Sequence, residues 1–248
     1  MMNKKLIAAC VLGLAAVSVW GDEGARDWAY RGNTGPRDWA GLSPDYEACG
    51  NGRVQSPVNI RHTEKVELPA LDFQYSTVAA TVVNDGHMIR VDLPQGNHLK
   101  VGDERYELVQ INLHSPSEEQ INGRHKAMTA HFVHRNADGK LAVVAVLLQT
   151  GRHNDAFQPV FANLPRGRNA DPLQGIEVDL AAMLPDQRKY YAYEGSLTSP
   201  PCTEGVSWMV MKAAVPVSKQ QKAEFRRWFP RNVRPVQPLH GRVVKESL

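Results

Sequence analysis

Three polar side chains of this chain, Asn112, His114 and His131, have a spacing that could hold a metal ion. His114 ends one apolar stretch, His131 lies in the next one, and a loop at residues 115–126 separates them. If the two stretches pair as antiparallel strands, residues two apart share a face, so all three side chains project to the same side. Such a tripod could bind a tetrahedral metal ion and leave its fourth position to water. The alternative is that both histidines are satisfied within a core, and spacing alone leaves both interpretations open.

The elements that must position these side chains are short runs rich in Val, Ile and Leu, separated by Gly and Pro. These runs predict strands at residues 81–84, 88–93, 106–114, 128–135, 141–149 and 206–213. Helical spacing after a Ser or Asp predicts helices at 155–164 and 218–229, and a shorter one near 180–184. Because strands and helices do not alternate regularly, a parallel doubly wound sheet is not expected. The prediction is a mostly β (α+β) single domain with peripheral helices.

The composition is that of an ordinary globular protein. Of 248 residues, 22% are charged and 42% hydrophobic, which excludes disordered, collagen-like and multi-span membrane proteins. The formal net charge is only +3, so no basic surface for nucleic acid or for an anionic membrane is indicated.

The first 21 residues have the pattern of a secretory signal peptide. Lys4 and Lys5 precede an apolar run at residues 6–20, and Gly21 follows before the first acidic residue. The run is too short for a comfortable transmembrane helix. We therefore predict a leader at 1–21, a single domain at 22–248, and a periplasmic or secreted protein.

A second interpretation of the leader remains open. The segment that ends at Cys10 resembles a lipoprotein box, in which case Cys10 would carry a lipid. Without the leader only Cys49 and Cys202 remain, and an isolated pair in an exported protein predicts one disulfide. The alternative is two unrelated buried thiols.

Ordered motifs along almost the whole chain, from about residue 28 to residue 244, resemble those of the α-class carbonic anhydrases, in particular the bacterial periplasmic type. The resemblance is carried by Tyr30, Gly32, Gly35-Pro36 and Trp39; by Cys49 and Gln55-Ser56-Pro57-Val58-Asn59-Ile60; by Asn84-Asp85-Gly86-His87; by Gln110 to His114 with Ser117-Glu118; by Gly195 to Val206 with Trp208; and by Asn232, Arg234-Pro235 and Gln237-Pro238-Leu239. It implies a twisted, mostly antiparallel central sheet of about ten strands with the active site in a cone on one face. It also supports the pairing of Cys49 with Cys202.

The resemblance further implies an activity and a set of roles. The family uses zinc held by three histidines to interconvert CO2 and bicarbonate plus a proton. Thr198 and Glu118 occupy the positions of the hydrogen-bonded pair that orients the nucleophile, and His87 that of the proton shuttle, which an imidazole suits near neutral pH. The apolar wall that receives CO2, whose residues could also be plain core packing, corresponds to Val133, Val143, Leu197, Val206 and Trp208.

The resemblance also implies partners behind the metal ligands. Gln110 is expected behind position 112, and the main chain near Asn232 behind His114. Three positions depart from the family pattern, and all belong to the metal region. Asn112 replaces the first zinc histidine, Thr129 replaces the glutamate that accepts the other N–H of the third histidine, and Glu119 replaces a common histidine.

Two functions follow from this pattern. The first is zinc-dependent reversible hydration of CO2, with zinc on His114 and His131, Asn112 as a weak third ligand, and a reduced zinc affinity. The second is a catalytically silent carbonic anhydrase-related protein that acts as a binding or structural module. In the first case the partner is a small molecule, CO2 or bicarbonate. No nucleic acid partner is expected, no membrane contact after signal cleavage, and a monomer or dimer.

Overall fold

The computed structural model describes residues 27–167 and 170–248. The predicted signal peptide and Cys10 lie outside the described residues. The strands are β1 (Asn59–Ile60), β2 (Glu64–Val66), β3 (Leu71–Gln74), β4 (Thr77–Asn84), β5 (Ile89–Asp92), β6 (His98–Val101), β7 (Glu104–His114), β8 (Gln120–Ile121), β9 (Arg124–His125), β10 (Met128–Arg135), β11 (Leu141–Thr150), β12 (Leu173–Asp179), β13 (Tyr190–Ser196), β14 (Glu204–Met211), β15 (Val215–Val217) and β16 (Lys245–Ser247). The α-helices are α1 (Ala48–Asn51), α2 (Gln158–Ala162) and α3 (Lys219–Trp228).

One large sheet dominates the molecule. Its main path has ten strands in the order β12-β4-β5-β7-β10-β11-β14-β13-β16-β2, with β3, β6 and β15 attached beside it. Most neighbours are antiparallel, whereas β11 pairs in parallel with β14 and β15, and β16 with β2. The predicted mostly β class and the mostly antiparallel sheet of about ten strands are therefore confirmed.

The central strands β10 and β11 are buried along almost their whole length and separate two cores. Even-numbered residues such as Phe132 and Val144 face the larger core, whereas odd-numbered ones such as Val133 and Val143 face the smaller one. This alternation follows from the period of two along a strand. His131 lies on the odd-numbered side, so the smaller core is the one next to the candidate metal site.

The six predicted strands are all present, and only β10 has the predicted ends. For example, β4 starts at Thr77, four residues before the predicted start. The longest of the strands that were not predicted are β12 and β13. Both contain Gly and polar residues, and β12 is largely exposed, so neither has a strong apolar signal. The helix predicted at 218–229 is α3, which Ser218 begins through a capping box with Gln221.

Two helix predictions were wrong in whole or in part. Residues 180–184 form a turn, in which the side chain of Asp179 accepts from the N–H of Ala182, and their apolar side chains pack into the larger core. The segment 155–164 contains only the short α2, because its first residues form a turn in which Asn154 Oδ1 accepts from the N–H groups of Ala156 and Phe157. The apolar residues of a buried turn can have the same spacing as those of a helix, so spacing alone does not distinguish the two.

The N-terminal segment is fastened to the rest of the chain by the predicted disulfide, Cys49–Cys202. Both cysteines pack with Trp39 and Tyr46 in a small third cluster. Among residues 27–167 and 170–248, no helix has the length and apolar character needed to cross a membrane.

Candidate active site

The strand pairing brings the three predicted metal-binding residues together. β7 and β10 are antiparallel neighbours, with Asn112 directly opposite His131 and His114 opposite Thr129. Residues two apart share a face, so Asn112 and His114 project to the same side of the sheet as His131. A register shift between Val133 and His134 lies beyond these pairs and leaves them intact.

His114 is buried and has one of its two ring nitrogens engaged. Nδ1 donates to the main-chain oxygen of Asn232 at 2.9 Å, and Nε2 lies 3.8 Å from Glu118 Oε2. Burial first, and then repulsion from His131, lower the pKa of His114 to about 3. The ring is therefore neutral near pH 7, and with Nδ1 protonated its Nε2 lone pair is available to a metal.

His131 is held from the opposite side of its ring. Nε2 donates to Glu119 Oε1 at 2.7 Å, while Nδ1 lies 3.9 Å from Glu118 Oε2. Burial alone would lower the pKa of His131, but attraction to the Glu119 carboxylate outweighs burial and raises it. The same attraction outweighs burial at Glu119 and lowers the pKa of its carboxyl. His131 thus presents Nδ1 to the space that His114 faces with Nε2.

Glu118 lies between the two imidazoles and is fully buried. Its Oε1 accepts from the main-chain N–H of Arg234 at 2.8 Å, whereas Oε2 has no hydrogen-bond partner among the described residues. Burial raises the pKa of Glu118 to about 7, and His131 and Thr198 act in the opposite direction. Thr198 is buried, and it lies close enough to Glu118 to lower the pKa of that carboxyl.

The donor set fits a metal ion such as zinc. One ligand atom each from His114, Glu118 and His131 lies within 4.8 Å of the others, and Glu118 Oε2 is an unpartnered buried oxygen. Neutral imidazoles are preferred zinc ligands, and a nearby carboxylate balances the charge of a divalent cation. His114 and His131 are thus placed so that both could bind one metal ion.

Asn112 lies on the same face of the sheet and could offer a weaker donor. Its Oδ1 accepts a hydrogen bond from Gln110 Nε2 at 3.0 Å, so Gln110 lies behind position 112 as predicted from sequence. One lone pair of the amide oxygen remains for a metal, but a neutral amide binds zinc less well than an imidazole does. Position 112 therefore offers a weaker metal donor than the histidine that the family pattern has there.

An apolar surface adjoins the histidines. The five residues expected to form the CO2 wall all belong to the smaller core: Val133, Val143, Val206 and Trp208 are buried in it, and Leu197 is partly buried against it. Trp208 also packs edge-on against the ring of His131, with ring centroids 4.9 Å apart. An apolar surface next to the metal ligands can exclude water and receive a nonpolar gas molecule.

His87, the predicted proton shuttle, lies beside Trp28 and Asn232. Its ring stacks on Trp28 with centroids 3.8 Å apart, and Nε2 is 2.8 Å from the main-chain oxygen of Trp28. It lines a cleft of about 230 Å³ that also reaches Asn232, the residue whose main chain holds His114. The side chain is 17% exposed, so it reaches solvent at this cleft.

Two residues important for this geometry were missed by the sequence predictions. Glu119 was noted only as a departure, yet it holds His131, and its second oxygen accepts from the hydroxyl of Thr129 at 3.2 Å. Arg234 was noted only as part of a motif, yet its main chain holds Glu118. The available signal for Glu119 was the coincidence of a missing carboxylate at 129 and an additional one at 119.

Comparisons with known proteins agree over most of the chain. A family model described as eukaryotic-type carbonic anhydrase matches residues 34–248. A carbonic anhydrase of Neisseria gonorrhoeae is 39% identical over 244 residues, which cover 98% of this chain and 96% of that protein.

Solved structures also match most of the chain. The α-carbonic anhydrase of Thermovibrio ammonificans, in complex with sulfanilamide, matches with a TM-score of 0.86 and 38% identity over 90% of this chain and 99% of its own. A dioscorin in complex with ascorbate matches with a TM-score of 0.82 and 33% identity over 90% and 99% of the two chains. The sheet, the motifs and these matches together show that the chain belongs to the eukaryotic-type, or α, carbonic anhydrase family.

Proposed function

We propose that this protein is a zinc-dependent carbonic anhydrase that interconverts CO2 and water with bicarbonate and a proton, at an activity reduced by Asn112. One observation carries the proposal. His114 Nε2, His131 Nδ1 and Glu118 Oε2 converge in a buried space beside an apolar wall. Family membership supports the same reaction.

His114 and His131 would hold the zinc ion, with Asn112 Oδ1 as the third ligand. A bound Zn²⁺ supplies the Lewis acid that makes water a nucleophile near neutral pH. The main-chain contacts of Asn232 and Arg234 keep His114 and Glu118 in place, so the site needs little rearrangement when the ion binds. Such preorganisation favours both metal binding and catalysis.

Glu118 and Thr198 orient the attacking oxygen in this proposal. As a carboxylate, Glu118 can accept the hydrogen bond of the Thr198 hydroxyl, which leaves the threonine oxygen to accept a hydrogen bond from the attacking water. The water molecule is then held with a lone pair toward the carbon of CO2. The apolar wall around Val143 and Trp208 receives CO2, and His87 carries the released proton to solvent.

The second candidate is a silent member of the family that binds a ligand without hydrating CO2. Asn112 favours it, because an amide replaces the first imidazole and already accepts a hydrogen bond from Gln110. The match to dioscorin in complex with ascorbate supports a binding role for this fold. The intact positions Thr198, Glu118 and His87 favour the enzyme instead.

The deciding experiment compares the wild type with Asn112→His and Asn112→Leu. Zinc affinity is measured by competition with a chelator, and CO2 hydration by stopped flow in excess zinc. We expect weak zinc binding with measurable hydration in the wild type. Asn112→His should bind zinc more tightly by orders of magnitude, because it adds the third imidazole.

Asn112→Leu is the matched control, since it keeps the size of the side chain and removes the amide donor. It should bind zinc less tightly than the wild type. Wild-type protein without hydration in excess zinc would refute the enzyme and favour the binding module. Equal zinc affinity in all three proteins would refute the ligand role of position 112.

Export is part of the proposal. The leader pattern at residues 1–21 supports a periplasmic or secreted protein, and so does the disulfide, which persists in oxidising compartments. Carbon dioxide crosses membranes freely, so an exported enzyme would act on the gas as it enters or leaves the cell.

A further inference from the structure

We propose that Glu119 is a positioning residue of the metal site, which supplies from a loop the carboxylate that fixes the His131 imidazole. The inference rests on the proposed role of His131 as a metal ligand. The residue two before His131 on the same strand face is Thr129, whose side chain carries no charge. Glu119, in the segment between β7 and β8, supplies the carboxylate that Thr129 lacks.

The first support is the geometry of the contact. Glu119 is fully buried, and His131 is only 3% exposed. The 2.7 Å bond from His131 Nε2 to Glu119 Oε1 consumes one ring nitrogen and leaves Nδ1 on the side of Glu118 and His114. A hydrogen bond at one imidazole nitrogen decides which nitrogen is free to bind a metal.

The second support is the anchoring of the Glu119 carboxylate. Its other oxygen, Oε2, accepts from the Thr129 hydroxyl at 3.2 Å. The loop around it is fixed as well, because the Ser117 hydroxyl donates to the main-chain oxygen of Glu119 and accepts from the N–H of Lys126. Both carboxylate oxygens are thus engaged, and the group cannot turn away from His131 without losing a buried hydrogen bond.

Thr129 and Glu119 therefore act as one unit. A glutamate at 129 would place its carboxylate near the space that Glu119 Oε2 now occupies, since Thr129 Oγ1 is already 3.2 Å from that atom. The short threonine leaves this space to Glu119 and contributes a donor. The two departures compensate one another, and the histidine on β10 keeps a charged acceptor.

Such an acceptor raises the basicity of a ligating imidazole and restricts its ring orientation, and its loss typically lowers metal affinity about 10–100-fold. Glu119 is thus expected to offset part of the affinity lost at position 112. A purely structural ion pair would also stabilise the fold, but it would not change metal affinity in a variant that keeps its shape.

The test measures zinc affinity for Glu119→Gln, which keeps the shape, and for Thr129→Val, which removes the hydroxyl anchor. Each change is made in the wild type and in Asn112→His, so that the positioning role is tested even if the wild type binds no zinc. We expect Glu119→Gln to weaken zinc binding about 10–100-fold in each background that binds zinc, and Thr129→Val to weaken it less. A second readout is the ring ¹⁵N NMR spectrum of the zinc-loaded protein, in which Nε2 of His131 should keep its proton.

Rescue separates positioning from folding. Glu119→Ala/Thr129→Glu moves the carboxylate to the strand and should regain most of the affinity that Glu119→Ala loses. Glu246→Gln, which removes a carboxylate at Lys212 far along the sheet on β16, is the matched control and should leave zinc affinity unchanged.

Zinc affinity of Glu119→Gln within about twofold of its parent in the Asn112→His background would overturn the proposal. Failure of the double variant to recover any affinity, with its thermal unfolding intact, would overturn it also. A different outcome would refute only the proposed function. In that outcome the wild type binds no zinc, Asn112→His binds zinc, and Glu119→Gln weakens zinc binding in the Asn112→His background. Glu119 would then remain a positioning residue of this site.

Discussion

At the level of single residues, spacing along strands placed His114 and His131 on one face, but it left open whether the two histidines bind a metal or are satisfied within a core. His114 and His131 follow from the period of two and from one antiparallel pairing, both of which the structure has. Glu119 could not be found in this way, because it lies in the loop between the strands, and no periodicity connects residues 119 and 131. The hydrogen-bond partner of a side chain is decided by loop conformation, which short-range patterns do not encode.

The position of His87 leads to a prediction about proton transfer. Its ring stacks on Trp28, and its Nε2 contacts the main-chain oxygen of Trp28. These two contacts hold His87 in the cleft that it lines. If the protein hydrates CO2, His87→Ala should lower kcat in weak buffer about 10-fold or more, since positioned proton transfer contributes at least that much. KM for CO2 should change little, because the ring is not part of the apolar wall.

The measurement is stopped-flow hydration at several concentrations of a small imidazole buffer. Added imidazole should restore the rate of His87→Ala, because the buffer replaces the missing proton carrier. Trp28→Phe is the control, since it keeps an aromatic platform and leaves His87 in place. An unchanged rate in His87→Ala without buffer would remove His87 from the reaction.

At the level of elements, burial explains which predictions succeeded. The central strands β10 and β11 are mostly buried and were predicted with ends within one residue. The peripheral strand β12 and the turn at 180–184 were not, because a half-exposed strand lacks the apolar signal and a buried turn imitates a helix. The pairing order of the sheet, in which β11 lies parallel to β14, depends on long-range contacts. It could therefore not be predicted from local patterns.

Strand β10 also carries a histidine whose burial predicts a pH effect on stability. His134 is fully buried: Nδ1 donates to the main-chain oxygen of Ala142 at 3.2 Å, and Nε2 accepts from the Tyr75 hydroxyl at 2.6 Å. Burial lowers the pKa of His134 from 6.5 to about 4. Between those values the unfolded chain binds the proton and the folded protein does not, so stability is complete above about pH 6.5 and falls as the pH drops toward 4.

This difference in pKa corresponds to about 3 kcal/mol of stability lost over that range. His134→Gln should be less stable at pH 7 but should show a flatter decline between pH 6.5 and 4. The measurement is urea unfolding as a function of pH, with a chelator present so that bound metal does not contribute. His153→Gln changes a half-exposed side chain and serves as the control, whose decline should match the wild type. Parallel declines in His134→Gln and the wild type would contradict the assignment.

At the level of the whole molecule, segments distant in sequence meet around Arg234. This buried side chain donates to the main-chain oxygens of Cys49 and Ser56 and to Gln55 Oε1, and its own main-chain N–H holds Glu118. A run of contacts therefore leads from the disulfide to the carboxylate at the centre of the site. No pattern local to residue 234 could have indicated this role, since its partners come from more than a hundred residues away.

The Cys49–Cys202 bond spans 153 residues and should stabilise the protein mainly by restricting the unfolded chain. Chain-entropy estimates for a loop of this length give about 4–5 kcal/mol. Cys49→Ala/Cys202→Ala should therefore lower the free energy of unfolding by up to that amount, as measured by guanidinium unfolding. Alanine is chosen because it places no hydroxyl in the buried cluster with Trp39. Reductant should destabilise the wild type to a similar extent and leave the double variant unchanged, whereas equal midpoints for the oxidised wild type and the double variant would contradict a stabilising bond. Because the main-chain oxygen of Cys49 accepts from Arg234, we also expect zinc affinity to fall in the double variant. The Glu246→Gln protein provides the comparison, because it removes an ion pair of the sheet with Lys212 and does not touch this connection.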